Sequence, residues 1–132
     1  MNTIMEEEVS VDELVARFIT GKDYYRPKDG TVKHNAFMPS REGETSVYRT
    51  KDLADDEIFE IGRIYFAEKI GKDLKGRADI PAFEVFEKGL AIVSQPTDHS
   101  RHASIVDWPQ DKSKSRLIAV ELAAKAKLQL VP

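Results

Sequence analysis

Arg101-His102-Ala103-Ser104-Ile105-Val106-Asp107-Trp108-Pro109 is the stretch on which both the fold and the candidate site turn. Its β-branched and aromatic content predicts a strand ended by Pro109, with His102, Ser104, Val106 and Trp108 on one face. An imidazole, a hydroxyl and an indole aligned in this way can line a pocket. The same pattern also suits the polar end of a core strand.

Before this run, Pro96-Thr97-Asp98-His99-Ser100 is a loop by composition, and Leu90-Ala91-Ile92-Val93 is predicted as a central strand. After it, a helix over about residues 112 to 127 is apolar on more than one side through Leu117, Ile118, Val120, Leu122, Ala123 and Ala124, and residues 128 to 131 can add a last strand. Towards the amino end, Asp55 and Asp56 enrich the first turn of a helix over about residues 54 to 70, where the macrodipole favours acids, and Gly71 is placed to stop it. Residues 74 to 80 read as a short edge strand or a loop ending at Pro81, and residues 82 to 87 leave strand and helix open. Ser10 and Glu13 have capping-box spacing, and Val11, Leu14, Val15, Phe18 and Ile19 recur at helical intervals, so a helix is predicted from Ser10 to Gly21. Residues 31 to 38 and 45 to 50 read as an antiparallel hairpin; if Met38 pairs with Thr45, then Ala36 faces Val47 and His34 faces Arg49, whereas a slip by one residue brings His34 opposite Tyr48 or Thr50. The sum is an α+β fold: a single domain over residues 10 to 132 with three main helices on a mixed, mostly antiparallel sheet of about four to six strands, preceded by a flexible acidic terminus over residues 1 to 9.

A chain of 132 residues suits one domain. With 41% hydrophobic and 33% charged residues wholesale disorder is not expected. No apolar run approaches the roughly 20 residues of a membrane-spanning helix. The absence of cysteine removes disulfides, thiolate nucleophiles and cysteine zinc sites. The acidic start lacks the basic and apolar parts of a secretory signal, so a cytoplasmic protein is expected, with no membrane partner. The net charge of −3 argues against nucleic-acid binding by bulk electrostatics but leaves room for a local basic patch. Lys112, Lys114, Arg116 and Arg101 are the candidates for one, although a solvated helix start explains the same residues.

Phosphodiester cleavage commonly uses two groups that titrate near neutrality, one taking and one giving a proton, with a cation over the phosphoryl oxygens. His34 and His102 are the candidate catalytic pair, Arg49 and Arg101 the candidate cations, and Tyr48 and Ser104 the candidate hydrogen-bond donors. The plainer reading of both histidines is a core imidazole bonded to a neighbouring backbone or hydroxyl group. Tyr24 and Tyr25 can stack a base or fold back over the core edge. His99 and His102, with Asp98 or Asp107, place two metal ligands at most, and no metal or cofactor is expected. Gly43 and Gly76 lack the spacing of a phosphate-cradling loop, Ser46 and Ser104 lie outside Gly-x-Ser-x-Gly, and Arg77 with Asp79 suits a structural ion pair.

His102-Ala103-Ser104-Ile105 resembles half of the paired His-x-Ser/Thr motif of two-histidine phosphoesterases. His34 departs from it, since Asn35-Ala36 follows and no hydroxyl stands two residues on. More broadly, Ala36-Phe37-Met38-Pro39, Glu44-Thr45-Ser46-Val47-Tyr48-Arg49, Gly76-Arg77-Ala78-Asp79 and the run from Arg101 to Ile105 with Trp108-Pro109 resemble a group of small uncharacterised bacterial proteins, over about residues 30 to 130. That resemblance implies a bacterial, single-domain origin and no activity. The expected function is binding of an anionic ligand, a nucleotide or RNA phosphate, through His34, Tyr48, Arg49, Arg101, His102 and Ser104, with metal-independent phosphodiester chemistry as its catalytic form. The alternative is a non-catalytic partner or neutraliser of another bacterial protein, or a homo-oligomer, suggested by the acidic terminus, the tyrosine pair and the many-sided last helix.

Overall fold

The computed structural model describes residues 8–132; residues 1 to 7, most of the flexible terminus expected from the sequence, lie outside the described residues. Six strands form one antiparallel sheet in the order β6 (Ala91–Ser94), β7 (His102–Val106), β4 (Thr45–Arg49), β1 (Leu14–Ile19), β5 (Gly76–Pro81) and β8 (Lys127–Leu130). A small ribbon pairs β2 (Tyr25–Arg26) with β3 (Thr31–Val32). The helices are α1 (Asp55–Gly62), α2 (Ala82–Phe86) and α3 (Lys112–Lys125). This is the α+β class expected from the sequence. Among the described residues no helix is long and apolar enough to cross a membrane.

The larger core lies on one face of the sheet. There Val15, Ile19, Val47, Ala78, Ile80, Ala103 and Ile105 meet Ala119 and Leu122 of α3 and Val85 of α2. On the other face Ala16, Phe18 and Tyr48 meet Ile58 of α1, with Ile61 and Phe66 alongside. Because β1 is covered on both sides, its apolar residues run almost continuously, and continuous burial mimics a helical period. That is why the helix expected from Ser10 to Gly21 is instead a turn followed by a central strand. The local capping signal is real: the Ser10 amide donates to Glu13 Oε2 at 3.0 Å. It closes a turn, because the Glu13 carboxylate is also taken by Arg49 across the sheet.

The expected hairpin of residues 31 to 38 with 45 to 50 does not form. After Val32 the chain makes a 3-10 turn over His34–Ala36, which drives Ala36 and Phe37 into the core, and the Thr45 hydroxyl donates to the Phe37 carbonyl at 2.8 Å. β4 pairs with β1 and β7, so Arg49 stands opposite Val15 rather than His34. β5 is an interior strand between β1 and β8, and the expected central strand β6 is an edge. Residues 82 to 87, open from the sequence, supply α2.

Helix α1 begins with acids at Asp55, Asp56 and Glu57, and the Glu57 carboxylate accepts the Ala54 amide at 2.8 Å. It runs directly into a π-helix over Arg63–Ile70, stopped by Gly71 at φ 81. Helix α3 is capped by Asp111, whose side chain accepts from Ser113 at 2.8 Å and Lys114 at 3.3 Å. Its inward row is Ser115, Ala119, Leu122 and Ala123. Strand β7 forms as expected but ends at Val106. Asp107 adopts φ 70, the alternation breaks, and Trp108 packs against the larger core instead of continuing the His102 face.

Candidate functional site

Strands β1 and β4 pair at only two positions, Val15 with Arg49 and Ala16 with Tyr48; beyond Ala16, β1 pairs with β5 alone. The opening between them leaves backbone carbonyls of neighbouring segments to be satisfied, and the Arg17 guanidinium does so. Its Nε donates to the Ala36 carbonyl at 2.7 Å and its Nη1 to the Ser46 carbonyl at 3.0 Å, with the Tyr24 ring centroid 5.8 Å from the guanidinium carbon. Burial presses the Arg17 pKa down, partly opposed by Tyr24 and Tyr48. Among the described residues no carboxylate lies within ion-pair distance of it.

At this opening lies a cleft of about 580 Å³ whose lining includes Arg17, Tyr24, Ser46, Tyr65, His102 and Ser104. The antiparallel register places Ser46 opposite Ser104 and Tyr48 opposite His102, so all four share one sheet face. His102 Nε2 and Ser46 Oγ are 2.6 Å apart, and His102 Nδ1 lies 3.1 Å from the Gln95 carbonyl oxygen. A carbonyl only accepts, so the hydrogen-bond network assigns the proton to Nδ1 in the neutral ring and makes Nε2 the acceptor of the Ser46 hydroxyl. A hydroxyl, an imidazole and a group that orients the imidazole are the elements of an activated oxygen. Ser104 donates to Gln95 Oε1 at 2.7 Å, tying the same residue to the site a second time.

Behind His102 lies Tyr48, 4% exposed, with ring centroids 5.3 Å apart. Burial first, then Tyr65 and Asp98, push the Tyr48 phenol up to about 12, so it remains a hydrogen-bond donor at neutral pH. The π-helix carries Tyr65 to 6.4 Å from Tyr48. π-Helical turns recur at functional sites because they re-aim side chains that an α-helix would point elsewhere. Glu42, Glu44 and Asp98 also line the cleft.

The residues singled out in the sequence separate. His102 and Ser104 line the cleft, and Tyr48 supports them. Arg49 is 0% exposed, faces away from Tyr48, and makes a two-point bond to Glu13, Nε to Oε1 at 2.9 Å and Nη2 to Oε2 at 2.6 Å. Arg101 donates to the Lys51 carbonyl. His34 does not line the cleft; it belongs to the neighbouring groove, where burial and then Arg116, Arg26 and Lys33 hold its pKa below the usual value. The two-histidine pairing is therefore not assembled. His99 accepts the Arg101 amide at Nδ1, and burial, Arg101 and His102 press its pKa down. Among the described residues no group of three or more His, Asp or Glu side chains is placed to hold a metal. Arg77 and Asp79 make the expected ion pair at 3.0 Å, extended to Asp55 at 2.6 Å.

Arg17, Tyr65 and Gln95 are not among the site residues expected from the sequence, where Ser46 stands only as a disfavoured nucleophile. A signal existed for the first: an arginine inside Val15-Ala16-Arg17-Phe18-Ile19 is out of place in a buried run and needs a reason. Ser46 becomes visible only once β4 is paired with β7. Comparison with protein-family models, curated proteins and solved structures yields no match to this chain.

Proposed function

We propose that this protein binds a small anionic ligand of nucleotide size in the cleft between β1, β4 and β7, with the anion on Arg17 and the Ser46–His102 pair beside it. The observation that carries the reading is Arg17, a half-buried cation that lines the cleft, donates to two carbonyls and, among the described residues, has no carboxylate within ion-pair distance, although Glu42, Glu44 and Asp98 line other parts of the cleft. Such a charge is costly until an anion joins it. The cleft volume falls within the range of about 300–1,000 Å³ typical of small-molecule sites. Ser46, Ser104 and His102 supply hydrogen bonds that fix orientation, and His102 can accept a proton from a ligand hydroxyl in place of that of Ser46. With His34 elsewhere, the cleft holds one imidazole, so binding rather than two-histidine cleavage is the best-supported reading.

The test is an NMR titration of His102 with uridine monophosphate and with inorganic phosphate. A saturable shift is expected, weakened by on the order of tenfold in Arg17→Met, since hydrogen bonds to charged groups contribute about 1.5–3 kcal/mol. Ser46→Ala, which leaves the Arg17 bonds in place, is expected to alter the His102 shift while preserving the fold. No movement of His102 with either ligand would overturn the reading.

A second reading rests on α3, where Leu117 is 67% exposed and Val120, which also lines a groove with Arg26 and His34, is 47% exposed. Exposed apolar residues of this kind suit a protein partner or a second copy of the chain. Light scattering across a concentration series, with Leu117→Lys as control, tests the second-copy form.

A further inference from the structure

The cleft adjoins a second groove at Asn35. The cleft's wall residues Tyr24, Asn35, Met38 and Pro39 also bound this groove, of about 560 Å³, completed by His34, Lys112, Ser113 and Arg116. His34 in turn lines a third groove, of about 440 Å³, that reaches Arg26. Along this path Arg17, then Lys112 and Arg116, then Arg26 follow one another, while the carboxylates of the first cleft, Glu42, Glu44 and Asp98, have no counterpart lining the other two. Lys112 and Arg116 stand four residues apart on α3, a like-charge spacing that is mildly unfavourable alone. Among the described residues neither has a carboxylate within ion-pair distance. The crowding of positive charge is felt at His34, whose pKa burial, Arg116, Arg26 and Lys33 hold down. Tyr24 belongs to the wall shared by the first two grooves and is half-buried.

We infer that the ligand is a single-stranded nucleic acid lying along this path, with one phosphate at Arg17, further phosphates at Lys112, Arg116 and Arg26, and a base against Tyr24. The inference rests on the cleft reading above and names its ligand class. A succession of cations along adjoining grooves suits a ligand that carries several phosphates, and an aromatic ring among them suits the stacking face every base carries. A mononucleotide would leave the α3 cations unused. Because the whole chain carries a net charge of −3, attraction is confined to the groove, and binding is expected to be strongly salt-dependent.

The test compares uridine monophosphate with an end-labelled oligouridylate of about eight nucleotides, within the span of roughly 4–16 that single-strand sites cover. Fluorescence anisotropy reads the oligomer and the His102 resonance reads both. The oligomer is expected to bind more than tenfold tighter than the mononucleotide at low salt and to shift His102. The Lys112→Gln/Arg116→Gln double variant, altered only at exposed positions, should lose most of that gain. Its slope of log affinity against log salt should fall by about 1.4, at roughly 0.7 per phosphate contact. Its response to uridine monophosphate should be unchanged. If the mononucleotide moves His102 but the oligomer binds no tighter, or if the variant keeps the full salt slope, the extended path is overturned and the cleft stands. If neither ligand moves His102, both readings fall, even if the oligomer binds elsewhere. A duplex that binds as tightly as the single strand overturns the assigned ligand class.

Discussion

Removing one carboxylate oxygen's charge from the interior gives the sharpest test of how this sheet is held together. Glu13 and Arg49 meet with side chains 4% and 0% exposed, the guanidinium presenting two nitrogens to the two carboxylate oxygens. The Ser10 amide also donates to Glu13 Oε2, and Arg49 Nη2 also donates to the Glu8 carbonyl. Glu13→Gln keeps the shape and leaves the arginine charged in a dry site, a change that costs about 3–5 kcal/mol when a buried pair loses one partner. With a urea dependence of about 1–3 kcal/mol/M, the unfolding midpoint is expected to fall by roughly 1–5 M. The double replacement Glu13→Leu/Arg49→Met removes both charges and should recover most of that loss. Acid unfolding provides an independent readout. Burial raises the Glu13 pKa, but the bonds from Arg49 and Ser10 outweigh it and hold the folded value below that of a free carboxyl. A depressed folded value means that the stabilisation is present above about pH 4.3, the unfolded value, and is lost as pH falls through the folded one. Glu13→Gln should remove that part of the acid transition. A loss below about 1 kcal/mol in Glu13→Gln, or a double variant no more stable than the single one, would refute the assignment of this pair as a buried structural bond. Retained ligand response at His102 in the double variant would agree with Arg49 standing outside the cleft.

The buried Tyr48 phenol is expected to ionise only at about 12. Its raised folded value means that its contribution is intact below about pH 10, the unfolded value, and is lost as pH climbs through about 12, so alkaline unfolding followed by circular dichroism should be blunted in Tyr48→Phe. Gly76→Ala should destabilise by about 1–3 kcal/mol, because a Cβ there would stand 2.5 Å from the Gln129 carbonyl oxygen of β8 and backbone cannot step aside as a side chain can. An unchanged melting temperature, or unchanged amide exchange across β8, would contradict that packing.

Some of this architecture is legible one segment at a time. The alternation through His102 and Ser104 marks β7, the acids at Asp55 and Asp56 and the stop at Gly71 bracket the helical stretch, and the alanine-rich apolar run over about residues 112 to 127 marks α3. Each of these signals is local, because a strand's alternation, a helix cap and a left-handed stop are properties of neighbouring residues. β1 defeated the same method: burial on both faces erases alternation, and Val15, Phe18 and Ile19 satisfy the spacing of a helix as well as that of a covered strand. The 3-10 turn at His34 defeated it again, since Ala36 and Phe37 look like strand residues but are buried by a tight turn beneath α3.

The site divides in the same way. Sequence alone marked His102 and Ser104 as sharing a face, excluded thiol chemistry through the absence of cysteine, and placed an α+β fold on three helices and a mostly antiparallel sheet. Only the tertiary structure decided that Ser46 stands beside His102, that Arg49 is spent on Glu13, that His34 lies in the adjoining groove, and that Arg17 is the cation of the cleft. The reason is that strand pairing is non-local: β4 could meet its nearest upstream segment or strands far along the chain, and nothing in its own five residues chooses between them. The choice is made by burying both faces of β1 at once, and with it the positions of every polar group in the cleft.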